Sequence, residues 1–275
     1  MNSAQFPLRC HWPYPKIVAH RCGGALAPEN TLAGLIIAAR LGMRAVEFDV
    51  MLSEDGVPVL IHDETLERTT NGCGPVDRMP AEQLLRLDAG LQHHRAFRGE
   101  LLPSLQQVLE TCLRLGLLAN IEIKPAPGHE TITGEVVAGT VVDYYRRTGR
   151  AAGGFGDAES RSSPWLLSSF SMQALQAAGA IAPEIERALL VEAVPTDWQA
   201  RMQAVGAVAL HCAASDLNAD VLVGIRAEQV LLACYTVNST ELATALFAQG
   251  VGAVFTDRID LFHGSGVAWS QAGAA

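Results

Sequence analysis

The sequence predicts an α/β fold, a (β/α)8 TIM barrel with a small insertion after its second strand. Three observations predict it. Eight short apolar runs alternate with helix-like segments along the chain. The length of 275 residues is close to the roughly 250 typical of such barrels. Several of the runs end in charged residues, and the C-terminal ends of barrel strands are where such folds carry their active sites. Strand periodicity alone leaves a doubly wound open sheet as the alternative.

The series opens with KIVAH (16–20), followed by NTLAGLIIAARLG (30–42), which is apolar at helical spacing and closes on glycine. AVEFDV (45–50) is the second strand. MLSEDGVPVLIHDE then breaks the alternation. Asp55-Gly56 is a turn signal and VPVLIH (57–62) a further strand, so this stretch reads as a hairpin arm leading into an insertion, about residues 51–102 in all. The insertion holds TTNGCGP, rich in turn residues, and a short helix near AEQLLRL. PSLQQVLETCLRLG (103–116) is a helix that opens on Pro-Ser and closes on Gly. The remaining strands are LANIEIK (118–124), WLLSSF (165–170), RALLVE (187–192), AVALHC (207–212), VLLACYTV (230–237) and GAVFTD (252–257). The helix TELATALFAQG (240–250) joins the last two. Residues 149–163 read as a loop. One barrel domain is expected over 12–263, with 1–11 and 264–275 as terminal extensions.

Composition excludes several classes. The net charge of −9 argues against a nucleic-acid partner and against stable docking on an anionic membrane. No apolar run reaches the length of a membrane span. The first residues lack a basic start followed by an apolar stretch, and the six cysteines are scattered without a CxxC pair. Reduced thiols in the cytoplasm are therefore expected. The sequence is compatible with a homo-oligomer and does not decide it. No G-x-S-x-G, P-loop or dinucleotide fingerprint occurs.

The chemistry lies at the strand ends. Side chains alternate across a strand, so Glu47 and Asp49 share one face of AVEFDV while Val46, Phe48 and Val50 share the other. Glu122 and Lys124 are likewise two apart at the end of the next barrel strand, with Ile121 and Ile123 turned toward the helices. Burying paired carboxylates is costly unless something offsets their charge. Glu47, Asp49 and Glu122 together offer hard oxygen donors suited to Mg²⁺ or Ca²⁺. Arg21 and Lys124 supply a cationic hollow that fits a phosphate. His20 and His62 are the side chains suited to moving protons near neutral pH. Together they describe a phosphodiesterase site.

Other residues have plainer readings beside the functional one. Asn30 or Thr31 reads as a helix N-cap, with Glu29 beside the positive helix end and able to orient Arg21. Ser169, Phe170, His211 and Tyr235 to Asn238 end strands and either line the pocket or pack the barrel top. His11, His93, His94 and His129 read as surface residues. Cys22, beside the His20-Arg21 pair, offers a thiol-nucleophile reading, but residues two apart in a turning loop need not meet; if it lies at the pocket rim, a thiol reagent would reach it.

In order, AHRCGGALAPENT, EFDVMLSEDGVPVLIHDETLERTTNG, LPSLQQVL, NIEIKP, LLSSF, YTVN and FTD resemble the signature segments of the glycerophosphodiester phosphodiesterases. The likeness runs from about Trp12 to Asp257, and WPYPKIVAHR is similar to the start of the family's bacterial cytoplasmic branch. The resemblance implies a barrel with a small insertion and hydrolysis of glycerophosphodiesters, such as glycerophosphocholine or glycerophosphoethanolamine, to glycerol 3-phosphate and an alcohol. It implies that His20 and His62 are the acid–base couple, Glu47, Asp49 and Glu122 the metal ligands, and Arg21 and Lys124 the phosphate-binding cations. It further implies attack by the glycerol 2-hydroxyl and a cyclic phosphate that water opens. A lysophospholipase D-like relative and a non-catalytic glycerol-phosphate binder are the alternatives. Two positions depart from the family pattern. Cys22 stands where the family mostly has glycine, a residue suited to positive φ. Tyr235 replaces a widespread tryptophan, and the bacterial cytoplasmic branch shares that tyrosine.

Overall fold

The apolar runs form parallel strands that close on themselves. The structure, a computed structural model, describes residues 14–148, 163–217 and 219–262. The barrel strands are β1 (Ile17–Ala19), β2 (Ala45–Leu52), β4 (Leu118–Ile123), β5 (Trp165–Ser169), β6 (Glu186–Val191), β7 (Ala209–Ala213), β8 (Leu231–Tyr235) and β9 (Ala253–Thr256). Each pairs in parallel with the next, and β1 pairs with both β2 and β9. That closure rules out the open doubly wound sheet and leaves no barrel edge exposed. The hairpin arm is β3 (Pro58–Leu60), antiparallel to the end of β2 from Val50↔Leu60 to Leu52↔Pro58. Gly56, at φ 76°, makes its turn.

Helices α1 (Leu32–Arg40), α3 (Leu105–Leu115), α4 (Glu130–Thr148), α5 (Met172–Ile181), α6 (Trp198–Val205), α7 (Ala219–Ala227), α8 (Thr240–Ala248) and the single turn α9 (Ile259–Phe262) cover the outside; α2 (Ala81–Leu84) belongs to the insertion. The expected stop signals work as their chemistry requires. Thr31 caps α1 through Gly34 N, and Ser104 and Gln107 form a reciprocal capping box on α3. Gly116 ends α3 in the left-handed conformation at φ 70°.

Alternation along the strands divides the core. Val46, Phe48, Val50, Ile121 and Ile123 face outward into one large apolar layer under the helices. Inside, Val18, Ala45, Ala233, Ala253 and Phe255 form one small cluster, and Leu166, Ala188, Ala209 and Leu231 form another with Tyr14 against it. A separate cluster seats the insertion: Met51, Val59, Ile61, Leu66, Val76, Leu84, Leu102 and Ala126. Each large side chain buried there stabilises by about 1.5–3 kcal/mol, enough to fix the arm firmly against β2. Glu100 adds a polar latch, its Oε1 accepting from Ala33 N at 2.8 Å at the start of α1. His93, His94 and His129 are exposed as expected. His11, both terminal extensions and all of the expected loop except Ser163 lie outside the described residues.

Cys22 does not lie at the pocket rim. Arg21 and Cys22 are both left-handed, at φ 49° and 72°, so the positive φ expected where the family has glycine is real. The turn throws the Cys22 side chain away from the barrel mouth and under α1. A Cβ placed on Gly34 would lie only 2.9 Å from Cys22 Cβ, so that glycine makes room for it. Cys22 is fully buried, and burial holds its thiol well above the usual range. Thiol labelling of the native protein, read by mass spectrometry, should therefore mark Cys73, the exposed cysteine among the described residues, and spare Cys22. Rapid labelling of Cys22 before unfolding would return it to the rim.

Candidate active site

The ends of β1, β2 and β4 and the end of the arm meet at one cavity of about 230 Å³. His20, Arg21, Glu47, Asp49, His62, Glu122 and Lys124 all line it. The sequence-predicted residues are therefore brought together.

Glu47, Asp49 and Glu122 are buried, and one oxygen from each lies within 4.8 Å of the others. Two unit charges that close repel by at least roughly 3 kcal/mol at the effective dielectric of a protein. Burial, then the charge of Asp49, pushes Glu122 up to about 8 and raises Glu47 well above the usual carboxyl range. Asp49 is the best served. Asn30 Nδ2 donates to its Oδ2 at 2.9 Å and Asn30 Oδ1 accepts from its backbone N–H at 3.0 Å. Arg21 Nε stands 3.9 Å from Asp49 Oδ2, and Lys124 Nζ lies 3.7 Å from Asp49 Oδ1 and 3.8 Å from Glu122 Oε1. Glu47 Oε2 accepts from Arg21 N at 2.9 Å, but its Oε1 is buried without a hydrogen-bond partner. A hard donor set with one orphaned carboxylate oxygen fits a divalent cation.

Each histidine has its own aspartate. His20 Nδ1 meets Asp257 Oδ1 at 2.6 Å, and Asn238 holds Asp257 by donating from Nδ2 to Oδ2 at 3.1 Å and accepting from Asp257 N at 2.8 Å. His62 Nδ1 meets Asp63 Oδ1 at 2.7 Å. A carboxylate on Nδ1 favours the tautomer that leaves Nε2 for the cavity. Burial, with Lys124 and Arg21 adding, holds His62 below its ordinary value despite Asp49 and Asp63.

The remaining candidates divide between wall and support. Phe170, His211 and Tyr235 line the cavity. Phe170 stays half-exposed at its mouth, edge-on to Tyr235 with ring centroids 6.1 Å apart. Tyr235 donates from its hydroxyl to Val191 O at 2.7 Å. His211 is buried against Phe255, and burial alone pulls it down to about 3, so it is neutral. Glu29 and Asn30 lie behind the cavity rather than in its wall. Glu29 accepts from Arg21 Nη1 at 3.1 Å; burial pushes it up, but Arg68 and Arg21 outweigh that and hold it low. Ser169 ties β5 to β4 through Ile123 O.

Three contributors escaped sequence reasoning: Asp257, Arg68 and Asn120. Asn120, the first residue of NIEIK, lines the cavity and donates from Nδ2 to Ser168 Oγ at 2.9 Å. Asp257 and Arg68 sat within FTD and LERTTNG, yet only the folded chain sets them against their partners.

The carboxylate cluster has a measurable consequence. Native Glu122 keeps its proton up to about pH 8, whereas an ordinary glutamate releases it near 4.5. Unfolding therefore releases a proton, and stability falls as pH rises through that interval. From about pH 7.5, where free histidines, with an ordinary value of about 6.5, are largely deprotonated, to about 8, the metal-free protein should lose thermal stability. Saturating divalent cation, or Glu122→Gln, should remove that loss. A metal-free melting temperature unchanged over this window would contradict the assignment.

The family model described as "Glycerophosphoryl diester phosphodiesterase family" matches residues 20–261. A glycerophosphodiester phosphodiesterase of Caldanaerobacter subterraneus is 31% identical over 246 residues, covering 88% of this chain and 93% of that protein. A solved phosphodiesterase of Oleispira antarctica, in complex with the product sn-glycerol-3-phosphate, superposes with a TM-score of 0.78 at 36% identity, covering 88% of this chain and 93% of that one. The glycerophosphodiester phosphodiesterase of Agrobacterium tumefaciens gives 0.71 at 28% identity, covering 91% and 99%. A cavity that gathers buried carboxylates, two cations and two aspartate-paired histidines at the top of a closed barrel, in a chain matched along most of its length, leads to one conclusion: the chain belongs to the glycerophosphoryl diester phosphodiesterase family.

Proposed function

We propose that the protein hydrolyses glycerophosphodiesters to glycerol 3-phosphate and an alcohol, with Mg²⁺ or Ca²⁺ held by Glu47, Asp49 and Glu122. The observation that carries this reading is the buried three-carboxylate cluster, flanked by Arg21 and Lys124 and facing two His–Asp pairs in the same cavity. The product complex of the Oleispira relative supports the substrate class. When bound, a divalent cation supplies positive charge against the negative charge that grows on the phosphate in the transition state.

The chain's own groups divide the rest of the work. Arg21 and Lys124 hold the phosphate, and their fixed donors cost no reorganisation as charge develops. His62, whose value burial pulls down, takes the proton of the glycerol 2-hydroxyl as its oxygen attacks phosphorus. His20 has carboxylate oxygens near both ring nitrogens, Asp257 at 2.6 Å and Glu47 at 3.9 Å, and begins as the proton donor to the leaving alcohol. A cyclic phosphate results. His20 then takes a proton from water, and His62 returns its proton to the 2-oxygen as the ring opens.

Phe170, Tyr235 and Phe255 give the cavity an apolar side for the alcohol. Among the described residues no helix is long and apolar enough to cross a membrane, and the chain is acidic. Both features favour a water-soluble, deacylated substrate over a lysophospholipid. The five described cysteines are all free, in keeping with a cytoplasmic setting. A non-catalytic relative is disfavoured because both His–Asp pairs and all three carboxylates are in place.

Glycerophosphocholine should be converted to glycerol 3-phosphate, with turnover lost on chelation and restored by Mg²⁺ or Ca²⁺. Full turnover with metal content verified as nil would sink the metal role. His20→Ala and His62→Ala should each lower kcat about 10²–10⁴-fold, the usual worth of general acid–base catalysis. A p-nitrophenyl ester needs little protonation of its leaving group, so it should rescue His20→Ala alone; rescue of His62→Ala instead would reverse the two roles.

A further inference from the structure

The insertion carries a charged clasp that the reaction above does not use. Arg68 reaches two carboxylates at once. Its Nη1 and Nη2 donate to Glu29 Oε2 and Oε1 at 2.7 and 2.8 Å, its Nη2 also to Asp63 Oδ1 at 2.9 Å, and its Nε to Asp63 Oδ2. Forked contacts of this kind fix orientation as well as distance. Each carboxylate also holds a second group. Glu29 accepts from Arg21 Nη1 at 3.1 Å, and Asp63 meets His62 Nδ1 at 2.7 Å. Arg21, Glu29, Arg68, Asp63 and His62 thus form one unbroken series, with both of its ends in the cavity.

We propose that Arg68 is a positioning residue, which sets the cation Arg21 from the barrel and the histidine His62 from the arm at a fixed spacing around the phosphodiester. The proposal rests on the reading in which Arg21 binds phosphate and His62 moves a proton. Two observations separate it from a purely structural role. First, the insertion has anchors besides Arg68, its own apolar cluster and the Glu100–Ala33 contact. Second, the Arg68 side chain is about half-exposed, at 48%. Exposed ion pairs contribute little to stability, whereas a misplacement of about 1 Å at a reacting group can cost about 10²-fold in rate. Without Arg68, Glu29 is left with Arg21 alone and Asp63 with His62 alone. Both carboxylates can then turn and carry their partners off line.

The test is steady-state hydrolysis of glycerophosphocholine by Arg68→Ala and Arg68→Lys, with His62→Ala and Arg21→Ala measured alongside. Arg68→Ala should lower kcat about 10–100-fold while the melting temperature moves little. Guanidinium ion should restore part of that turnover and do nothing for the parent protein. Combined with Asp63→Asn, the loss should be no larger than that of the worse single variant, as expected of residues acting through one series. Arg68→Lys keeps the charge without the fork and should fall between the two; it carries the test if the alanine variant does not fold. Parental kcat in Arg68→Ala or in Arg68→Lys, or fully additive losses with Asp63→Asn, would overturn the proposal. If His62→Ala and Arg21→Ala are crippled while Arg68→Ala is not, the clasp alone is wrong. If His62→Ala and Arg21→Ala keep parental turnover, the reading of the site falls and takes the clasp with it.

Discussion

The mutual repulsion of Glu47, Asp49 and Glu122 is the constraint around which the rest of the site is arranged. Their oxygens sit within 4.8 Å of one another on the inner face of a closed barrel. Water cannot screen them there as it would at the surface. The neighbours answer that charge in different ways. Asn30 gives Asp49 an amide hydrogen bond and takes one back, the turn at Arg21 points a backbone N–H at Glu47, and Lys124 stands between Asp49 and Glu122. These contacts satisfy Asp49 but leave Glu47 Oε1 without a partner and Glu122 raised to about 8. The protein alone offsets only part of the repulsion, and a hard cation would offset the rest.

That constraint explains why the chain around β1 is so tightly shaped. Arg21 and Cys22 adopt positive φ because the turn must aim Arg21 N at Glu47 while Cys22 N donates to Glu47 O at 2.7 Å. A non-glycine residue in that conformation costs about 1–3 kcal/mol, and burial of the Cys22 side chain offsets part of it. Gly24 follows at φ 56°, where a Cβ would come within 2.3 Å of Asp257 O. The loop therefore lies directly on the aspartate that orients His20. The carboxylate pocket, His20 and helix α1 are joined through twelve residues of backbone, from His20 to the α1 N-cap Thr31.

Much of this was legible in the sequence, for a physical reason. A period of two in AVEFDV and NIEIK puts the carboxylates on one face and the branched aliphatics on the other, and only a buried strand has use for both. The turn at Asp55-Gly56 and the capping signals at Ser104 and Gly116 are local chemistry, so they too could be read directly. What could not be read depends on long-range closure. Asp257 meets His20 across 237 positions and Arg68 meets Glu29 across 39, and no spacing rule links either pair. Adjacency to His20 does not fix which way the Cys22 side chain points. Two consecutive left-handed residues send it under Gly34.

The proposed function requires one divalent cation held by Glu47, Asp49 and Glu122, and calorimetric titration of the metal-free protein with Mg²⁺ or Ca²⁺ tests that directly. One ion per chain should bind in the parent protein, and saturable binding should disappear in Glu47→Gln and in Glu122→Gln while both variants remain folded. Undiminished one-to-one binding in both variants, or no saturable binding by the parent protein, would contradict it.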